Sequence, residues 1–191
     1  MLSELIKKCR SYRRFYQEEA IVREDLLDMI DGARLSASAR NSQSLKYVIS
    51  YDVTTNALIY PSLAWAAYLK DWPGPDEGER PSAYIIMLND NEITNNYFCD
   101  HGIAVQSILL TAVEKGLGGC IIASINREKL RKDLLISDRY EIIQIIALGK
   151  PKETVVIEPM GSNGDIKYWR DENHVHHVPK RSLEEIVLNY F

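Results

Sequence analysis

Much of the usual enzyme signature is missing from this sequence. It has no GxSxG nucleophile elbow, no Walker phosphate loop, no HExxH and no GxGxxG behind a strand, so serine-hydrolase, P-loop, zincin and Rossmann chemistry are not indicated. Cysteine is scarce. Cys9, Cys99 and Cys120 are an odd number with no CxxC pair, and they read as free thiols of a reducing compartment. No apolar run reaches the roughly 20 residues of a membrane-spanning helix. The longest, Ile103–Val113 and Ile142–Leu148, are too short and carry polar residues or stop early. The opening Met1–Lys8 stretch has a glutamate and amphipathic spacing instead of a basic start and an apolar run, so no secretory leader is expected. The expectation is a cytoplasmic protein without membrane contact. Basic excess is absent too: the formal net charge is −4, which disfavours nucleic acid as a partner because phosphate binding asks for cations.

What is present suits one globular unit. The 191 residues are 46% hydrophobic and 26% charged, enough for a single domain, 1–191, around one core. Apolar periodicity predicts helices over Leu2–Cys9, from Arg23 to Ser36, over Pro61–Lys70, over Asn96–Lys115 and over Arg127–Leu135. Strands are expected at Leu45–Tyr51, Ala83–Leu88, Gly119–Ser124 and Glu141–Leu148. Prolines 73, 75 and 81 with Gly74 and Gly78 make Asp71–Pro81 a loop. Ser182–Glu185 has the capping-box pattern of a last helix. Asn96–Lys115 is apolar nearly all round and should lie inside. Without strict βαβ alternation, the expected class is α+β, a mixed central sheet of four or five strands flanked by helices.

Three segments carry polar groups suited to a ligand. In Cys9–Phe15, Arg10, Ser11 and Arg13 offer guanidinium forks and a hydroxyl, fit for a phosphate or a polar ring edge; alternatively they answer a helix C-terminus. In Ser38–Gln43, Asn41 and Gln43 offer amides with donors and acceptors, as a heterocycle edge needs, or they are ordinary loop residues. Lys180 and Arg181 precede a capped helix and make an anion seat, or a solvated pair. His174, His176 and His177 suggest a metal at first sight, but an extended chain turns His177 away from the other two, leaving a polar surface strand or turn. No metal is expected. Trp65, Tyr68 and Trp72 either line a stacking pocket or pack in the core or a dimer contact.

In order along the chain these segments resemble the nitroreductase family of flavoproteins. Arg10-Ser11-Tyr12-Arg13-Arg14-Phe15 resembles its RRSxRxF start, Ser36–Leu45 its APSxxNxQPW, Gly102–Gly119 its GIAxQxxLLxAxxxGLG, Leu148–Pro151 its LGxP, and Pro179–Arg181 its PKR. The departures are Cys9 in place of the first arginine, Ser44-Leu45 in place of Pro-Trp, and the lack of the long insertion of larger members.

The resemblance implies FMN at the interface of an intertwined homodimer. Arg10 and Ser11 would then hold phosphate and ribityl, and Arg13 the N1/C2=O edge of the ring. Asn41 and Gln43 would contact ring or ribityl, and Ala123 and Ser124 would offer backbone groups near N5. Lys180 and Arg181 would grip the phosphate, from the partner chain. It implies hydride transfer from NADH or NADPH through the flavin to a small electron-poor aromatic, a nitroaromatic or quinone, in a ping-pong cycle. No catalytic side chain is then required beyond the flavin itself. The rivals are a related flavin enzyme such as a reductive dehalogenase, a non-enzymatic flavin carrier, and a cofactor-free interaction domain.

Overall fold

Four strands make the central sheet of the computed structural model, which describes residues 1–191. They are β1 (Leu45–Ser50), β2 (Ala83–Asp90), β3 (Gly118–Ile122) and β4 (Tyr140–Gly149), in the spatial order β1-β2-β4-β3. Every pairing in this sheet is antiparallel. Strands β2 and β4 are central, and β2 is buried along its whole length, so both of its faces must be covered by apolar neighbours.

The two faces serve two cores. Ala83, Ile85 and Met87 join α2 (Arg23–Arg34) and α4 (Asp100–Glu114) on one side; Tyr84, Ile86 and Leu88 join Ile59, Trp65 and Leu130 on the other. A register break between Met87 and Leu88 inserts an extra residue in β4. Gln144 lies at this bulge, buried, with its amide near Met87 Sδ (3.5 Å) and His101 O (3.4 Å). The remaining helices are α1 (Leu2–Lys8), α3 (Val53–Ile59), α5 (Arg127–Asp133) and α6 (Leu183–Ile186). A second, mixed sheet follows: β5 (Val155–Pro159) runs parallel to β7 (His176–Lys180), and β6 (Trp169–Arg170) antiparallel to it.

The α+β class holds. The mixed pairing expected of the central sheet instead belongs to β5–β7, where residues after Pro151 return as strands that no alternation marked. The helix expected over Pro61–Lys70 lies earlier, over Val53–Ile59, where the Asp52 carboxylate caps the Thr55 N–H. Residues beyond Pro61 leave the helix, and Ala66 has φ 40°. Helix α4 starts at Asp100 rather than Asn96, because the Asn96 side chain accepts the Phe98 N–H and Phe98 has φ 46°. It is interior on one face only. Ala104, Val105, Ile108 and Ala112 are buried, while Gly102, Ile103 and Gln106 are exposed. Within one chain, α2 and the sheet cover only that first face.

Candidate active site

The segment Cys9–Tyr16 decides where the arginines go. It leaves α1 and lies across the ends of β3 and β4. Ser11 bridges Gly119, Tyr12 N–H donates to Gly119 O (3.0 Å), Phe15 bridges Pro151, and Tyr16 N–H donates to Lys150 O (2.9 Å). Two glycines of the GLG and LGxP motifs allow this approach. A Cβ on Gly118 would stand 2.5 Å from the Tyr12 ring, and one on Gly149 2.7 Å from the Phe15 ring, both inside contact distance. Arg14 then forks onto Glu79 (2.5 and 2.6 Å), with Lys152 also on that carboxylate (3.0 Å). The Arg14 hydrogen bonds hold the Glu79 pKa down at about 2, against a smaller effect of burial. The Pro-rich loop is thereby fastened to the N-terminal segment.

Arg13, next in line, turns inward and is 9% exposed. It reaches a cavity of about 230 Å³ walled by Trp65, Tyr168 and the run Cys120–Ser124. No carboxylate lines it. The Ala123 carbonyl accepts from Arg127 (3.3 Å) and that of Ser124 from Ala64 N–H (3.0 Å), while the N–H groups of Ala123 and Ser124 donate to no protein acceptor. One cation and two free backbone donors therefore belong to the lining of a hollow built mostly of apolar residues. Burial pushes the Cys120 thiol up, partly offset by Arg13, so it stays a neutral wall.

Of the residues singled out in the sequence, this cavity gathers Arg13, Ala123 and Ser124. Arg10 is half-buried on the same segment, its Nη2 donating to Ile6 O (2.9 Å) and its Nε buried without a partner. Ser11 is exposed, and its carbonyl accepts from Arg13 Nη1 (3.2 Å). Asn41 and Gln43 are not brought there. Their loop is tied to the start of α4 by Asp100, which accepts from Ser38 Oγ (2.7 Å) and Ala39 N–H (2.9 Å), and Gln43 lines a separate cavity of about 220 Å³. Lys180 is exposed at the end of β7, and Arg181 pairs with Glu185 (2.8 Å) beside α6. The capping box at Ser182 is present. Trp65 both lines the Arg13 cavity and packs on Tyr60 and Trp72. Tyr68 and Trp72 border a neighbouring open cleft with Arg170.

Sequence reasoning missed Glu153, Tyr168, Arg170 and His176. The expectation of a polar surface strand fails for His176, which is 1% exposed. Arg170 and His176 are register partners across β6 and β7, and Tyr168 stands two residues from Arg170, so all three meet on one face. Period-two spacing was the only mark they carried. Tyr168 lies under the Arg13 guanidinium (4.7 Å) and beside His176 (5.1 Å) and Tyr68 (4.9 Å). The buried Glu153 accepts from the Arg13 backbone N–H and from Arg170 Nη2 (3.0 Å). Burial first, then Arg13, Arg170 and His177, bring the His176 pKa down to about 4. His177 faces the other way, stacked on Trp169 at 4.0 Å and held between Glu158 and Asp171.

An antiparallel sheet packed on both sides, with a cation-and-backbone cavity at the end of its edge strand, defines a nitroreductase-like α+β fold. A nitroreductase family protein from Clostridium novyi NT superposes with a TM-score of 0.66 at 24% identity, over 97% of this chain and 98% of that one. An FMN-dependent nitroreductase from Clostridium difficile R20291 gives 0.63 at 22% identity, over 80% and 88%. YodC of Bacillus subtilis (strain 168), which bears the name NAD(P)H nitroreductase on a provisional basis, is 22% identical over 179 residues, 77% of this chain and 88% of its own. The sequence profile of the nitroreductase family matches residues 6–150. The chain belongs to the nitroreductase family and is an oxidoreductase of that family. No helix in it is long and apolar enough to cross a membrane.

Proposed function

We propose that this chain is an FMN-dependent oxidoreductase that passes a hydride from NADH or NADPH to a small electron-poor aromatic, a nitroaromatic or a quinone, and that it works as a homodimer with flavin at the interface. One observation carries the reading: Arg13, Ala123 and Ser124, the last two with backbone N–H groups free of protein acceptors, line one cavity that holds no carboxylate. That donor set fits the acceptor atoms along the edge of an isoalloxazine. The bound flavin supplies the hydride relay, donor and acceptor using the same pocket in turn. The chain's residues bind and bias it. Arg13 would stabilise negative charge on a reduced flavin ring, and the free backbone N–H groups of Ala123 and Ser124 would donate to its acceptor atoms. Arg10 and Ser11 lie on the same segment for phosphate and ribityl. Lys180 and Arg181 would complete the set from the partner subunit, while Asn41 and Gln43 lie away from this cavity within one chain.

The dimer is supported by what a single chain leaves bare. After Ser182 the chain is exposed throughout, with Leu183 at 69%, Leu188 at 94% and Tyr190 at 83%, and α4 presents Ile103 outward. Apolar surface of this extent favours a covering partner. The test is direct. Purified protein should be yellow, release FMN on heating, bleach anaerobically with NADH or NADPH, and sediment as a dimer. Recovery of FAD or of no flavin would refute the cofactor assignment; FMN that neither nicotinamide reduces would make the protein a carrier. A flavin-loaded monomer at micromolar concentration would refute the shared site.

A further inference from the structure

The residues after Pro151, beyond the stretch that matches the family profile, bring a buried imidazole against the Arg13 side chain that lines the cavity. Arg13 Nη1 meets His176 Nε2 at 3.1 Å. A guanidinium has five N–H donors and no acceptor, so the imidazole must present a lone pair at Nε2 and carry its proton at Nδ1. That tautomer is neutral, as suits a ring enclosed among Arg13, Arg170 and Tyr168, with Glu153 reaching only the arginines. His177, the adjacent titratable group on β7, faces away toward Glu158 and Asp171. Arg13 is held at three points: its backbone N–H by Glu153, and its Nη1 by His176 and by the Ser11 carbonyl (3.2 Å). Tyr168 supports the guanidinium from one side (4.7 Å).

We propose that His176 is a positioning residue, a neutral acceptor that with Glu153 keeps the Arg13 guanidinium aimed at the cavity walled by Cys120–Ser124. Its effect on a cofactor rests on the FMN reading; the contact itself does not. Arginine is long and rotamer-rich, and a cation left free to turn to solvent would favour the reduced ring less. A charge-assisted hydrogen bond is strong enough to hold it.

Two measurements separate the contact from the flavin. In flavin-free protein, long-range ¹H–¹⁵N correlation of the imidazole should show Nδ1 protonated and Nε2 bare, with that preference lost in Arg13→Met, which has no side-chain donor. A protonated Nε2, or a tautomer unchanged in Arg13→Met, overturns the proposal whatever flavin does. In flavin-loaded protein, His176→Phe keeps a ring and removes the acceptor. FMN should bind about tenfold more weakly, as loss of one charge-assisted hydrogen bond implies, and its midpoint potential should fall. His176→Gln, whose amide oxygen can accept, should restore both. Wild-type affinity and potential in His176→Phe, or no rescue by Gln, also overturns it. A wild type that binds no FMN refutes the proposed function and leaves the tautomer to decide the contact. Where His176→Phe does not fold, the comparison with Arg13→Met decides alone.

Discussion

Replacing Glu79 by glutamine should loosen the N-terminal segment, and by an amount that depends on pH. The carboxylate holds Arg14 at two points (2.5 and 2.6 Å) and Lys152 at one (3.0 Å), while its backbone carbonyl accepts the Phe15 N–H. The substitution removes the charge and leaves the backbone bond. A carboxylate whose folded pKa lies below its unfolded one adds stability above the unfolded value and loses it as pH falls through the folded one. For Glu79 the window runs from 4.5 down to about 2, a gap equivalent to about 3 kcal/mol. The Arg14 and Glu79 side chains keep 20% and 16% exposure, so solvent screening trims the expected loss to about 2 kcal/mol at pH 7. Urea unfolding of wild type and Glu79→Gln, followed by tryptophan fluorescence, measures it. The gap should narrow by roughly half near pH 3.3 and close toward pH 2, following the same linkage. A gap constant from pH 7 to 3.5 would assign the effect to shape rather than charge. No gap at pH 7 would refute the ion pair as a fastening.

Gly149→Ala places a methyl within 2.7–2.9 Å of three Phe15 atoms and should destabilise by about 1–3 kcal/mol, read by thermal melting. His176 contributes with its own pH sense. Its folded pKa, about 4 against 6.5, makes its share of stability full above 6.5 and lost as pH falls toward 4. That share is roughly 3 kcal/mol, and His176→Gln should flatten that part of the acid profile in urea titrations; an unchanged profile would show the imidazole to be freely solvated. Neutralising Lys180 and Arg181 together should weaken FMN binding at least about tenfold, whereas neutralising Lys7 and Lys8 should not; equal losses in a fluorescence titration would mean general electrostatics.

The strands and helices around the core were legible because their burial is one- or two-sided in a regular way. Ala83–Leu88 and Ile142–Leu148 are apolar runs whose ends the glycines and charged residues mark, and Arg23–Arg34 repeats its apolar positions with the helical period. Arg13, Ala123 and Ser124 were legible through motif order, although only the fold shows why the order matters: Ser11 and Tyr12 must cross Gly118 and Gly119 for Arg13 to turn inward. The second sheet was not legible. Val155–Pro159 is a short apolar run ended by Glu158 and Pro159, His176–Lys180 has one apolar residue among histidine, proline and lysine, neither alternates, and their pairing joins segments some twenty residues apart. His176 is buried by Tyr168, Arg13 and Arg170, none of them apolar neighbours in sequence, so no local pattern distinguishes it from the exposed His174. Asn41 and Gln43 illustrate the opposite case: the motif singled them out, yet within one chain Asp100 fastens their loop elsewhere.

The Arg13 cavity is lined by residues 13, 64–67, 120–124 and 168, and Arg13 also meets His176, so it is assembled from contacts far apart along the chain. Each of these contacts carries the entropic cost of distant closure, which slows folding. During synthesis the N-terminal segment must wait for β3 before it has a ledge to lie on, and Arg13 must wait for β7 before it has an acceptor. The site therefore cannot be complete until the chain has been made as far as residue 176.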